Sequence, residues 1–371
     1  MPAASNDPIT DASSLAARFA AAAPGARRML GHEFRTPSEA LTAVAESVDP
    51  TADWDWYGEG GLVTELEARV AGLLGKPAVA FFPSGVMAQQ AALRCWTDRS
   101  GSRRVALPDL SHVLRHELDG PALLHDLQYE RLGSGRQLPT VEHLDAIPGP
   151  LGAALLEVPL REAGFVLPTF DELAEFSDRC RDRGVPLHLD GARLWDSTPH
   201  LGRSLAETAA LADSVYVSFY KGLGAFAGAA LAGPEDFVAE ARQWRRRLGG
   251  TIFGMTAYAS SALAGLDAHL PRMAEYHDRA VEIAALLHDR GLRVIPDPPH
   301  TREFVVYAPG DPEALREKVI QLLERDRVVA VRDWTPADVP GWSWTEVSIG
   351  SATMRGSARE VADAIASVAL D

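Results

Sequence analysis

VPLHLDGARLW, residues 185–195, is followed closely in the chain by DSVYVSFYKGLGAFAG, residues 213–228. Each segment contains an apolar run of strand length that ends in a charged residue, Asp190 in the first and Lys221 in the second. The interval between them has room for one helix that joins two neighbouring parallel strands. Because ligands bind at the carboxyl ends of such strands, we expect the Asp190 carboxylate and the Lys221 amine to face one site.

The same alternation of strand and helix patterns extends on both sides of these segments. Short apolar runs occur at AVAFF, RVALP and GAALLEVP, and each is followed by a turn rich in polar residues or glycine. TELEARVAGLLG, residues 64–75, and FDELAEFSDRCRDRG, residues 170–184, have apolar residues at helical spacing and end on a glycine that can cap a helix. This rhythm predicts an α/β protein with a mostly parallel central sheet.

The rhythm changes after Gly250, which predicts a second domain. A long Ala-rich helical pattern comes first, and three shorter strand candidates follow it: REFVVYA, RVVAVRDW and TEVSIGSA. A chain of 371 residues also exceeds one typical domain. The predicted parts are an N-terminal helical segment at residues 1–27, a large domain at 28–250 and a smaller C-terminal α/β domain at 251–371.

The composition predicts a soluble cytoplasmic protein and excludes several kinds of partner. A net charge of -15 and a pI near 5.2 repel nucleic acid and anionic lipid. No apolar run approaches the roughly 20 residues needed to cross a bilayer, and the first residues lack the pattern of a signal peptide. Cys95 and Cys180 form neither a disulfide framework nor a metal-ligand spacing, so we expect a reducing compartment and no metal site.

The two strand ends carry groups that could hold an aldehyde cofactor. The Lys221 amine could condense with the aldehyde, and the glycines behind it would let a bulky ring approach the backbone. Asp190 could pair with a protonated pyridine nitrogen, and Arg193 follows within reach of the same pocket. Taken singly, the lysine could be an exposed side chain at a glycine-rich turn, and the aspartate could merely cap a turn.

Two earlier segments could hold the phosphate and the ring of such a cofactor. In AVAFFPSGVMAQQ a strand leads through a tight turn to a helix that begins at Gly85 and Val86, where backbone N–H groups favour a phosphate. Ser84 adds a hydroxyl donor. His112 follows another short strand, and its imidazole could lie flat against an aromatic ring. Each signal is weak alone, since many helices begin with Ser-Gly and a lone histidine is more often a surface or packed residue.

Along the chain come a possible phosphate cradle, a histidine, a strand-end aspartate and a strand-end lysine, in that order. This arrangement resembles the threonine aldolase and β-eliminating lyase family of pyridoxal 5'-phosphate (PLP) enzymes. The combination of HLDGARLW with a later strand that ends in KGLGA is specific to that family. The resemblance implies the PLP-dependent transferase fold of type I, with a large and a small domain. The blocks that carry it, within residues 56–250, are YGEGGLVTELEARVAGLLGK, FFPSGVMAQQAAL, VPLHLDGARLW, DSVYVSFYKGLGA and EARQWRRRLGG.

The resemblance also implies roles for the site residues. Lys221 would bind the cofactor covalently, Asp190 would pair with its pyridine nitrogen, and Arg193 would lie near its ring oxygen. The turn Ser84–Val86 would bind the phosphate, and His112 would stack on the ring.

The family assembles as homodimers or dimers of dimers with active sites at the subunit interface. Tyr57 and the run Arg245–Arg247 could therefore serve a site that is partly built by a neighbouring chain.

Three positions depart from the family pattern. Val86 stands where a threonine is usual, which removes one hydroxyl donor from the phosphate site. Val158 and Leu160 replace an asparagine and a histidine, which would favour a more apolar substrate group. Glu346 stands near the place of a carboxylate-binding arginine. The missing charge could come from one of three other arginines: Arg35, Arg161 or Arg332.

The sequence therefore predicts a PLP-dependent lyase that cleaves a β-hydroxy-α-amino acid to glycine and an aldehyde. The base that removes the hydroxyl proton could be His112, His116 or a bound water. β-Elimination or another reaction at Cα is the main alternative, because it would use the same Lys221 and Asp190. A nucleotide-binding oxidoreductase is disfavoured because no G-x-G-x-x-G follows the first strand, and a non-catalytic homologue because Lys221 and Asp190 are both present.

Overall fold

The computed structural model describes residues 14–33 and 35–370, which form two compact units. The larger unit is Arg35–Ala274, and the smaller one combines the described residues before Arg35 with those from Glu275 onward. Residues 1–13 of the predicted N-terminal segment lie outside the described residues. These boundaries differ from the predicted ones because the helix Thr256–His269 packs against earlier helices of the larger unit.

The elements are numbered along the chain. The helices are α1 (Leu15–Ala22), α2 (Pro37–Ser47), α3 (Gly61–Leu74), α4 (Gly85–Ser100), α5 (His112–Arg115), α6 (Gly120–His125), α7 (Val141–Asp145), α8 (Phe170–Asp182), α9 (Thr198–Leu201), α10 (Leu205–Ala210), α11 (Glu235–Arg247), α12 (Thr256–His269), α13 (Met273–Asp289), α14 (Pro312–Asp326) and α15 (Ala358–Ala369). The strands are β1 (Arg27–Arg28), β2 (Ala78–Phe82), β3 (Arg104–Pro108), β4 (Gln128–Leu132), β5 (Ala153–Glu157), β6 (Leu187–Gly191), β7 (Ser214–Ser218), β8 (Ala229–Gly233), β9 (Arg293–Ile295), β10 (Glu303–Pro309), β11 (Val328–Val329), β12 (Thr335–Pro336) and β13 (Trp342–Ser348).

The larger unit is built on a seven-stranded sheet with the order β2-β8-β7-β6-β5-β3-β4. The strands from β7 to β4 pair in parallel, while β8 pairs antiparallel to both β7 and β2. The predicted mostly parallel sheet is confirmed. The sequence analysis missed β8, whose residues AALAG are small and buried and therefore lack the alternation that marks a half-exposed strand.

The register of three central strands fixes the position of the site. Glu157 on β5 pairs with Asp190 on β6, and Asp190 pairs with Tyr216 on β7. Residues that are paired in this way project their side chains from the same face of a sheet. The two carboxyl side chains and the Tyr216 phenol therefore form a row near the carboxyl ends of the strands.

Helix α4 covers this sheet closely because its inner face is small. Ala88, Ala91 and Ala92 are fully buried in the same cluster as Tyr216 on β7. On α3, buried residues recur at helical spacing, and the left-handed Gly75 ends the helix, as the sequence predicts.

The smaller unit contains a four-stranded antiparallel sheet with the order β12-β13-β10-β9. The predicted strand RVVAVRDW is largely wrong, since only Val328 and Val329 pair, in parallel with β1. The N-terminal helix α1 belongs to this unit because Arg18 bonds to Glu317 and Glu324 on α14. In the described part of the chain, each helix is too short or too polar to cross a membrane.

Helix α12 packs tightly against the turn that carries Lys221. A Cβ atom on Gly265 would lie 2.3 Å from the carbonyl oxygen of Leu223, whereas one on Gly72 in α3 would meet nothing within 4 Å. We expect Gly265→Ala to lower the free energy of unfolding by about 1–3 kcal/mol through overpacking. The control Gly72→Ala should raise it by about 0.5–1 kcal/mol, because alanine favours a helix interior. Chemical denaturation measures both, and equal stability of Gly265→Ala and the wild type would contradict the tight contact.

Candidate active site

A cavity at the carboxyl end of the central sheet brings most of the predicted site residues together. Its lining residues come from the ends of β5, β6 and β7, from the start of α4 and from the segment around α5. The lining residues are Gly85, Val86, Gln89, His112, His116, Glu117, Glu157, Asp190, Ala192, Arg193, Tyr216, Tyr220 and Lys221.

Asp190 and Lys221 both line this cavity, as their positions at strand ends predict. Asp190 is 2% exposed, and one of its oxygens accepts the Ala192 N–H at 3.1 Å. The Nζ atom of Lys221 lies 5.7 Å from the centre of the Tyr220 ring. Arg193 lines the same cavity and places its guanidinium 5.1 Å from the centre of the Phe165 ring. The site therefore holds a buried carboxylate and an amine in one polar pocket.

The predicted phosphate turn lies at the same cavity, although Ser84 is not among its lining residues. The Ser84 hydroxyl accepts the Met87 N–H at 3.3 Å and so caps α4. Gly85 and Val86 line the cavity at the first turn of this helix of 16 residues. A Cβ atom on Gly85 would lie 2.1 Å from the Tyr216 hydroxyl, so only glycine fits against this tyrosine.

A buried polar chain beneath α4 directs one amide group into the cavity. Trp96 Nε1 donates to Ser214 Oγ at 2.8 Å, and that hydroxyl lies 2.8 Å from His188 Nδ1. His188 Nε2 lies 2.7 Å from Gln89 Oε1, and burial lowers the pKa of this histidine to about 3, so the ring is neutral. The hydrogen on Nε2 holds the Gln89 oxygen inward. Among the described residues, the buried Nε2 of Gln89 has no hydrogen-bond partner.

His112 is fixed by two carboxylates. Its backbone N–H donates to Glu157 Oε2 at 2.8 Å, and its Nδ1 lies 3.3 Å from Glu117 Oε1. The hydrogen bond to Glu117 raises the pKa of His112. Burial raises the pKa of Glu117, whose side chain is fully enclosed. Glu117 was not predicted from the sequence, although it follows His112 by five residues.

Glu157 lies beside Asp190 and is the most perturbed carboxyl in the cavity. Burial and the neighbouring Asp190 charge raise the pKa of Glu157 to about 7. Besides the His112 N–H, it accepts the Arg161 N–H at 3.2 Å. This residue therefore ties two loops to the end of β5, and it takes a proton near neutral pH.

His116 and Glu162 form a further pair at this cavity. His116 Nε2 lies 2.8 Å from Glu162 Oε1, and the same oxygen accepts Arg161 Nη1–H at 2.6 Å. The His116 ring is 5.1 Å from the His112 ring, and its side chain is 42% exposed. A histidine that lines the cavity and is held by a carboxylate is a chemically competent proton acceptor.

Several residues noted in the sequence do not line this cavity. Val158 and Leu160 are fully buried and do not line this cavity, so the predicted preference for a more apolar substrate group stays a prediction. Arg245 is also buried and donates to the Phe81 carbonyl at 2.6 Å, so it is an internal residue of the larger unit. Glu346 lies on β13 of the smaller unit.

The family profile for beta-eliminating lyases matches residues 35–309, which is most of the chain. The low-specificity L-threonine aldolase of Candida albicans is 29% identical over 247 residues, or 64% of this chain and 66% of that protein. The low-specificity L-threonine aldolase of Escherichia coli K12 is 30% identical over 265 residues, or 70% of this chain and 78% of that protein. The chain thus spans just under two thirds of the first of these relatives.

Solved structures extend the similarity over almost the whole chain. A candidate L-allo-threonine aldolase from Listeria monocytogenes has a TM-score of 0.89 and 35% identity, covering 96% of this chain and 99% of that one. A serine palmitoyltransferase from Sphingomonas wittichii has a TM-score of 0.67 at 17% identity, covering 90% and 83%, and shares the fold. The predicted PLP-dependent transferase fold of type I is confirmed. The length of the family match shows that the chain belongs to the threonine aldolase and beta-eliminating lyase family.

Proposed function

We propose that this protein is a PLP-dependent aldehyde-lyase that cleaves a β-hydroxy-α-amino acid to glycine and an aldehyde. The observation that carries the proposal is one cavity lined by a lysine, a buried aspartate, a histidine and the open first turn of a long helix. Relatives that are named low-specificity L-threonine aldolases support the reaction class.

The residues present fit the cofactor. The first turn of α4 offers backbone N–H groups to a phosphate, and the missing Cβ of Gly85 lets Tyr216 pack against that turn. The buried amide of Gln89 supplies an N–H donor that has no partner among the described residues. Asp190 supplies a buried negative charge for a protonated ring nitrogen. Of the three lysines in the chain, Lys221 lines the cavity.

Each residue then has a distinct task. Lys221 binds the cofactor covalently, Gly85 and Val86 hold its phosphate, and Ser84 completes the turn before them. His112 stacks on the ring, and Arg193 lies by the ring oxygen. Since Val86 carries no hydroxyl and Ser84 does not line the cavity, the phosphate would depend on the backbone N–H groups of this turn.

When bound, the cofactor accepts the electrons of a bond that breaks at the substrate Cα. Asp190 keeps the ring nitrogen protonated, so the ring remains a strong electron acceptor. Glu117 and Glu157 hold His112 in place from its side chain and its backbone. Orientation of the Cα–Cβ bond relative to the ring decides that this bond breaks rather than another. Arg161 contacts a cavity residue, since its Nη1 lies 3.5 Å from His116 Nε2, and it is our candidate for the substrate carboxylate.

The protein is further proposed to act as a cytoplasmic homodimer or homotetramer with the active site at the subunit interface. Exposed aromatic side chains support a second copy as the partner: Trp54, Trp56, Tyr57 and Phe253 are each more than half exposed. Trp56 and Tyr57 both pack edge-on against Phe253, so they form one aromatic surface. Two buried, unbridged cysteines suit a reducing compartment.

Borohydride reduction of the purified enzyme should attach the cofactor irreversibly to Lys221. Mass spectrometry of the peptides can distinguish this residue from Lys76 and Lys318, since these three are the lysines of the chain. Lys221→Ala should lose both the attachment and the visible absorbance of the lysine-bound cofactor, whereas Lys318→Ala should keep them. Retention of that absorbance in Lys221→Ala would show that the assignment is wrong.

The wild-type enzyme should release glycine and an aldehyde from threonine, allo-threonine or phenylserine. Lys221→Ala provides the background rate, and amino-acid analysis together with an aldehyde assay identifies the products. Release of pyruvate and ammonia from serine or cysteine derivatives, without glycine from any β-hydroxy substrate, would replace aldol cleavage by β-elimination.

The raised pKa of Glu157 should be visible in the stability of the cofactor-free protein. Because folding raises this pKa from the ordinary 4.5 to about 7, the folded state binds the proton more tightly. The protonated Glu157 side chain therefore contributes on the order of 3 kcal/mol to the free energy of unfolding. This contribution is complete below about pH 4.5 and is lost as the pH rises towards 7. Glu157→Gln should flatten this decline in unfolding experiments across that range, and the exposed Glu175→Gln serves as the control for loss of charge. An unchanged decline in Glu157→Gln would contradict the assignment.

A further inference from the structure

We propose that His116, held by Glu162, is the base that removes the substrate's β-hydroxyl proton. This inference rests on the proposed function and assigns the one catalytic group that the sequence leaves open. It concerns two residues, one at the end of α5 and one in the loop after β5. The loop brings Glu162 to His116 across 46 residues of sequence.

The hydrogen bond to Glu162 orients the imidazole of His116. A carboxylate oxygen lies 2.8 Å from His116 Nε2, and at this distance an unprotonated ring nitrogen would repel it. Nε2 therefore carries the hydrogen and donates it to Glu162. The other nitrogen, Nδ1, is left with its lone pair, and it is the atom that can accept a proton.

Glu162 is itself held in place by Arg161. Its Oε1 accepts Arg161 Nη1–H at 2.6 Å, and the backbone N–H of Arg161 donates to Glu157 at the end of β5. The carboxylate is thus fixed through a short chain to the central sheet. A base that is oriented by a third group is the arrangement used where a histidine must accept a proton and stabilise the charge that results.

His112 is the other histidine that could act as the base, and its contacts differ from those of His116. Its backbone is held by Glu157, and its Nδ1 is directed at the enclosed carboxylate of Glu117. These contacts hold the ring in a fixed orientation at the cavity, which suits stacking. His116 is more accessible, with a side chain that is 42% exposed against 31% for His112. Val158 and Leu160, in the same loop as Glu162, are apolar and buried, so they supply no base.

In the proposed step, the β-hydroxyl gives its proton to His116 Nδ1, and the electrons of the O–H bond form the second bond of the aldehyde carbonyl. The Cα–Cβ bond breaks, and its electron pair stays on Cα. A proton then replaces Cβ on Cα, which yields glycine, and His116 returns its proton to solvent.

The test compares two reactions of the holoenzyme. Cleavage of phenylserine needs a base at the β-hydroxyl, whereas exchange of the glycine α-proton with D2O does not, because glycine has no such group. His116→Ala should lower kcat for cleavage by about 10²- to 10⁴-fold. It should leave the visible absorbance of the cofactor and the rate of glycine exchange, followed by NMR, as in the wild type.

Added imidazole should restore cleavage to His116→Ala in proportion to its concentration, which loss of a structural contact would not allow. Glu162→Gln should lower kcat by a smaller factor with little change in KM, since its amide oxygen still accepts the Nε2 hydrogen but carries no charge. His143→Gln is the control, because His143 bonds to the Thr140 N–H at a helix start and does not line the cavity. His116→Gln provides a second variant if the alanine protein does not fold.

Cleavage by both His116 variants at the wild-type rate would overturn the proposal, and so would an equal loss of cleavage and glycine exchange without imidazole rescue. These results leave the proposed function intact. The proposed function itself fails only if the wild type releases no glycine from any β-hydroxy substrate, so the two failures are distinguishable.

Discussion

Two carboxyl groups and a phenol share one register at the carboxyl edge of the central sheet, and the site is organised around them. Glu157, Asp190 and Tyr216 are paired across β5, β6 and β7 and are all buried. A buried carboxylate is stable only when hydrogen bonds or an opposite charge compensate it. Glu157 accepts two backbone N–H groups and takes a proton near neutral pH. Asp190 is a buried carboxyl that a protonated pyridine ring would pair with, so binding of the cofactor and stability of the sheet edge would be coupled.

The same row determines how the loops above it are arranged. Glu157 bonds to the backbone of His112 on one side and of Arg161 on the other. His112 therefore lines the cavity, and the next turn of chain brings His116 to it. The Arg161 loop brings Glu162 to the same histidine. A single carboxyl at a strand end thus positions two histidines that have different tasks.

Much of the fold and part of the site could be predicted because the signals are local in sequence. Asp190 and Lys221 end apolar runs, and the PSG turn precedes a helical pattern, so each position follows from its own segment. β8 could not be predicted in this way, since AALAG lacks both alternation and large residues. Glu117, Glu157 and Gln89 become site residues only through strand register and the packing of α4. Val158 and Leu160 show the converse case, because positions that the sequence assigns to substrate preference are buried and do not line the cavity.

The distinction between aldol cleavage and elimination does not depend on Lys221 or Asp190. In their proposed roles both residues would promote the breaking of any bond at Cα, so they favour the cofactor chemistry and leave the reaction open. Elimination takes a proton from Cα and expels a group from Cβ, whereas aldol cleavage takes a proton from the oxygen on Cβ. A histidine that a carboxylate orients so that one ring nitrogen can accept a proton serves the second of these, whereas in elimination a histidine would instead donate a proton to the group that leaves Cβ. The pair His116–Glu162 is formed by two loops outside the segments that contain Asp190 and Lys221. This pair is therefore the feature of the cavity that favours cleavage of the Cα–Cβ bond.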